Sequence, residues 1–116
     1  MATPTVYTPK RLIDPVQLGT ASGNLYTVPS GKTTQVMTII LVNDTTTAAT
    51  GTLWLVPTSG TAGDDNILTK AIDVPNDGTP LILEFDGVFL NTGDSIKGKA
   101  SIASQVTVHV FGSELE

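Results

Sequence analysis

Residues 36–42 read Val-Met-Thr-Ile-Ile-Leu-Val, with apolar side chains at positions of both parities. In an extended chain successive side chains point to opposite sides of the sheet, so this segment has two apolar faces to cover. Val36, Ile40 and Val42 are expected on one face, and Met37, Ile39 and Leu41 on the other. Residues 53–56 repeat the problem, with Leu53 and Leu55 opposing Trp54 and Val56. A two-layer sandwich buries only the inner face of each sheet. The outer side chains therefore need loops, the N-terminal segment or another subunit. Three exposed aliphatic side chains, at about 25 cal/mol per Å², leave several kcal/mol of stabilisation unused.

Strands are the natural elements for this chain. Threonine occupies 19 of 116 positions, and hydrophobic residues make up 40% against 15% charged. Branching at Cβ suits a pleated surface, and no segment sustains a helical period. Strands are expected near 12–18, 24–28, 34–43, 51–57, 67–74, 80–85, 94–100 and 105–111. The turns between them include Pro29-Ser30-Gly31, Pro75-Asn76-Asp77-Gly78, Asp86-Gly87 and Asn91-Thr92-Gly93-Asp94. Each has a local cause: Gly accepts positive φ, Asn and Asp bond their own backbone, and Pro ends pairing by lacking a donor. Val106, Val108 and Val110 alternate with Thr107 and His109, so the valines face inward. The fold class is all-β: a single-domain antiparallel β-sandwich of about eight strands, jelly-roll-like, with the strand order open between jelly-roll and immunoglobulin-like arrangements. Residues 1–11, with Pro4 and Pro9, read as an extended N-terminal arm, and residues 12–116 as the sandwich.

Charge and composition narrow the partners. A formal net charge of -5 is opposed to nucleic-acid binding, which needs clustered Lys and Arg; only Lys10 and Arg11 adjoin. The chain has no cysteine, which removes disulfides and thiolate metal sites. Its longest aliphatic run, residues 39–42, is far too short to span a bilayer, and residues 1–12 lack a signal-peptide core. No membrane partner is expected, and the chain is expected to be cytoplasmic at synthesis.

Candidate chemical sites are weak. His109 has no acid beside it for a triad. Asp64-Asp65-Asn66 lacks the ligand spacing of a calcium loop. Glu84 and Asp86 share a strand face as a carboxylate pair would, but two acids at a strand end usually mark solvated surface. Asn43-Asp44-Thr45 matches a glycosylation triplet. No glycine cluster precedes a helix to cradle phosphate. The expectation is a protein that is not an enzyme, with no catalytic residue, cofactor or metal.

The segments LYTVPSGKTTQVMTIILVN and GTLWLVPTSGTAGDDN resemble a recurring pattern in small β-sandwich virion-surface proteins of tailed bacteriophages: Tyr-Thr-Val-Pro-x-Gly-Lys, then strand-Val-Pro-Ser/Thr-Gly. The resemblance covers roughly residues 25–111. In this pattern Tyr26 and Val28 point inward, Pro29 stops the strand, Ser30-Gly31 turns and Lys32 opens the long apolar strand. The resemblance implies a structural virion protein, a head decoration or cement protein. Its partner would be the major capsid protein of a phage head, its own copies would form a homo-oligomer, with a trimer favoured, and its location would be the capsid surface. Val6, Tyr7, Lys10 and Arg11 of the arm are the expected shell contacts, with Trp54 a further partner-binding residue. The alternative is a carbohydrate- or receptor-binding tail or fibre accessory domain that stacks a sugar on an exposed Trp54 or Tyr26.

Overall fold

The computed structural model describes residues 7–115, with backbone alone for Tyr7 and Thr8. Among these residues there are nine strands and no helix: β1 (Tyr7–Arg11), β2 (Val16–Gln17), β3 (Gly23–Thr27), β4 (Thr33–Asn43), β5 (Ala49–Val56), β6 (Ile67–Val74), β7 (Leu81–Leu90), β8 (Ser95–Ala100) and β9 (Val106–Leu115). They form two antiparallel sheets. One has the order β1-β9-β4-β7, with β2 also paired to β9; the other has the order β3-β8-β5-β6.

β1 and β2 are one interrupted edge strand. Arg11 lies opposite Phe111 and Val16 opposite Val108, so the chain spends two more residues than β9 over the same stretch. Pro15 cannot donate to the ladder there, and Leu12 bridges the break through its N–H to the Val110 carbonyl at 2.8 Å. The strand expected over 12–18 is thus reduced to two residues, and pairing begins within the segment read as an arm. Counted as one, β1 and β2 give eight strands in the two interleaved orders of a jelly roll.

The core lies between the sheets. Val106, Val108 and Val110 are fully buried, as their alternation requires, with Ile39, Leu41, Leu53 and Ile96 packed among them. Tyr26 and Val28 also face inward. The facing of β4 departs from simple alternation. Val36 pairs with Gly112 and Thr38 with Phe111, so Met37 has no partner on β9. This bulge shifts the phase by one residue. Val36 stays inside, Ile39 and Leu41 join it, and Met37, Ile40 and Val42 fall outside. Val36 therefore shares a face with Ile39 and Leu41, not with Ile40 and Val42.

β7 carries a matching irregularity. Asp86-Gly87, expected as a turn, lies within a continuous strand opposite the bulge, with Gly87 at φ 76°. The expected turns at Gly31 and Gly93 do form: Lys32 N–H reaches the Pro29 carbonyl at 3.2 Å, and Asp94 N–H reaches Asn91 at 3.0 Å. Both glycines take positive φ, as a turn of this type needs at its third residue.

Candidate binding surfaces

The two outer faces have opposite fates. On the four-stranded sheet, Trp54 and Val56 point away from the core cluster, yet they are only 8% and 1% exposed. The monomer encloses them itself. On the five-stranded sheet the outer face stays open: Met37, Ile82 and Phe89 are 43%, 52% and 54% exposed. The register sets Ile82, Ile40 and His109 side by side across β7, β4 and β9. The next row is Glu84, Thr38, Phe111 and Arg11. His109 and Phe111 stack with ring centroids 6.4 Å apart. Arg11 and Glu84, at the two ends of the second row, are the only charged residues in these two rows, and exposed Asp86 follows Glu84 on β7.

The arm residues are distributed between two surroundings. Val6 lies outside the described residues, and Tyr7 is placed by its backbone pairing with Leu115. Arg11 is on the outer face at the sheet edge, 3.5 Å from Asp14, and both side chains are largely in water. Lys10 is engaged elsewhere. Its Nζ donates to Glu114 Oε1 at 3.0 Å, and Lys32 Nζ lies 3.8 Å from the same oxygen. Glu114 is 4% exposed and accepts a third contact, from the Tyr26 hydroxyl to Oε2 at 2.7 Å. Because the Tyr26 proton points to Glu114, the 2.7 Å contact between Tyr26 and Thr34 is donated by Thr34. The hydrogen bond from Tyr26, aided by the two ammonium groups, holds the Glu114 carboxyl below its ordinary value. Burial, reinforced by the Glu114 charge, pushes the Tyr26 phenol up to about 12. Tyr26 is therefore a structural member of the closed end of the sandwich, not an exposed platform for a sugar.

The weaker candidates resolve into local structure. Asn43 is fully buried; its Oδ1 accepts from Thr45 N–H and Oγ1 at 3.1 and 2.7 Å, and its Nδ2 donates to the Thr47 carbonyl at 2.9 Å. Asn66 closes the 63–66 turn by accepting from Gly63 N–H at 3.0 Å and donating to the Thr61 carbonyl at 2.8 Å. Among the described residues no three His, Asp or Glu side chains are placed to hold a metal ion. Among the described residues no helix is long and apolar enough to cross a membrane.

A concavity of about 430 Å³ lies on the outer face of the four-stranded sheet. Trp54 and Ile67 supply its apolar wall, and Lys70, Lys99, Thr52 and Ser101 supply polar groups. Sequence reasoning singled out Trp54 but not the lysines, because only the register of β5 with β6 and β8 gathers them.

No protein-family model matches this chain, and no curated protein matches it. Among solved structures it is similar to a chain from the structure of infectious bursal disease virus Gt strain, at 12% identity and a TM-score of 0.43. That similarity covers 96% of this chain and 31% of the other, so this chain spans about a third of that one's length. Similarity at this level supports neither a family nor a function, and the functional reading rests on the surfaces themselves.

Proposed function

We propose that this chain is a structural virion protein, a decoration or cement protein of a phage head. Copies associate through the outer face of the five-stranded sheet and bind the major capsid protein. The observation that carries the reading is the face of β7, β4 and β9, where Met37, Ile82 and Phe89 remain in water, while Trp54 and Val56 on the other sheet are buried by their own chain. The resemblance of roughly residues 25–111 to virion-surface proteins of tailed bacteriophages points the same way. The jelly roll serves both viral shell and lectin domains, so the fold leaves the choice to the surface.

The mechanism is mechanical. A bound copy bridges neighbouring shell subunits and buries surface present only in the assembled state, so it raises the free energy of disassembly by mass action. Tyr7 and Arg11 of β1, with Val6 before them in the sequence, extend the contact with the shell, and Lys10 anchors that strand through Glu114. No step of this role needs catalysis.

The test is add-back to heads that lack the protein. Saturable binding, with heads made more resistant to heat, is expected, and Arg11→Glu should lower occupancy at a fixed protein concentration severalfold. Absence of binding to the heads by the wild-type chain removes the reading.

A further inference from the structure

The lysines of the four-stranded sheet are the unexplained charges of this molecule. Six basic residues are present in the chain. Lys10 and Lys32 lie beside Glu114, and Arg11 lies beside Asp14. The remaining three, Lys70, Lys97 and Lys99, lie on or at the rim of one sheet face and have no carboxylate within 4.0 Å among the described residues. The register explains their gathering: Lys97 lies opposite Trp54 and Lys99 opposite Thr52 on β8. On β6, Gly51 pairs with Ile72 and Leu53 with Thr69, so Thr52 faces both Lys70 and Ala71. An acidic chain thus sets two of its lysines, Lys70 and Lys99, in the lining of one concavity, with Lys97 on the same sheet face.

The polar lining of that concavity is biased toward donors. Thr52 Oγ1 accepts the Ala71 N–H at 3.0 Å, and Ser101 Oγ accepts the Thr50 N–H at 2.9 Å. Each hydroxyl keeps its own proton to donate, and neither finds an acceptor among the described residues. Two hydroxyl donors and two ammonium groups therefore border the same space, with Asp64 as the one acidic residue in its lining. Ala71 holds φ 50° to make its contact with Thr52. Non-glycine residues in this region are strained and persist where the surroundings fix them. Here the bulge turns Lys70 and Ala71 both into the pocket wall, the re-aiming that bulges perform beside binding sites.

We propose that this concavity binds a carboxylated sugar. Its volume of about 430 Å³ exceeds what a small inorganic anion fills and falls in the range of sites for small organic ligands. Lys99 Nζ sits 5.8 Å from the Trp54 ring centroid, so the indole face is already met by a cation. The ring serves as an apolar wall and as a perch for Lys99, not as a bare stacking platform. A neutral sugar would leave the unpaired ammonium groups unused, whereas a uronic acid presents a carboxylate to Lys70 and Lys99 and accepting ring hydroxyls to Thr52 and Ser101. This site is separate from the open face of the five-stranded sheet and stands or falls independently of shell binding.

The single tryptophan makes the test direct. The full chain is titrated with oligogalacturonate, glucose oligomers of matched length and inorganic sulfate, following Trp54 emission and heat. Oligogalacturonate is expected to shift the emission saturably, with affinity falling as salt rises. Lys70→Gln and Lys99→Gln should each weaken it about tenfold while thermal unfolding stays unchanged. Lys99→Arg, which keeps the charge that meets the carboxylate, should retain binding. No response to oligogalacturonate, equal affinity for the glucose oligomers, or equal affinity for sulfate, which would mark an adventitious ion only, each overturns the proposal. Retention of full affinity in the Lys70→Gln, Lys99→Gln double variant does so as well.

Discussion

Glu114 concentrates the electrostatics of the fold in one side chain. A buried carboxylate is stable only when its oxygens are matched by donors, and here a phenol and two ammonium groups supply them. The cluster joins β1, β3 and the β3–β4 turn to the last strand, which ties both ends of the described chain together. None of this was visible in the sequence: Glu114 is 88 residues from Tyr26 and sits in a polar stretch that looks like an ordinary terminus. Because the folded-state value of Glu114 is depressed, its contribution is complete above the ordinary carboxylate value of 4.5. It is lost as pH falls through the folded value. Tyr26 acts at the other limit. Its value is raised from 10.0 to about 12, so its contribution is complete below pH 10 and fades as pH rises toward 12. Glu114→Gln is expected to cost about 2 kcal/mol at pH 7, since hydrogen bonds to charged groups carry about 1.5–3 kcal/mol. The difference from wild type should shrink below pH 4.5. Denaturant unfolding of both proteins at pH 7 and pH 3 measures it; a difference that does not change with pH contradicts the assignment.

Strand existence was legible because turn residues punctuate the chain, and the alternation of Val106, Val108 and Val110 fixed the inner face of β9. The phase of β4 was not legible. A bulge depends on how three strands meet, and residues 36–42 offer apolar side chains in either phase. Gly112 is the position where the structure shows its necessity. A Cβ there would run into the Gln35 backbone carbonyl and press on Leu12, so β9 without a side chain at this point is what lets β4 bulge against it. The same absence of pattern hid the continuity of β7, where Gly87 absorbs the opposing irregularity instead of ending the strand. Gly112→Ala is expected to destabilise by at least about 2 kcal/mol, in the range for overpacking, because the obstacle is backbone and cannot rotate away. Chemical denaturation reads this, and the matching Gly19→Ala, which meets nothing within 4 Å, should change stability by less than about 0.5 kcal/mol. Equal effects of the two substitutions would show that the close approach at the bulge carries no weight.

At the scale of the molecule, the open sheet face has a definite size. Four strands about 4.8 Å apart, each some ten residues long at about 3.4 Å per residue, present roughly 600 Å². Stable interfaces bury about 800 Å² on each partner, and transient ones fall below that. One such face therefore supports association that depends on concentration, in contrast to a permanent oligomer. A net charge of -5 opposes self-association at low ionic strength through repulsion between copies, while the apolar contact itself is indifferent to salt. The measured mass should therefore rise from the 12.1 kDa of one chain toward about three times that value as concentration increases, and rise further with moderate salt. Ile82→Lys and Phe89→Lys place charge near the two ends of the edge strand β7 on that face, and both should hold the protein at the mass of a single chain. Both positions are more than half exposed, so neither substitution should alter thermal unfolding of the dilute protein. Sedimentation equilibrium over a wide concentration range separates the outcomes. A wild-type chain that stays at one mass throughout, in high and low salt, would show that this face serves no contact between copies.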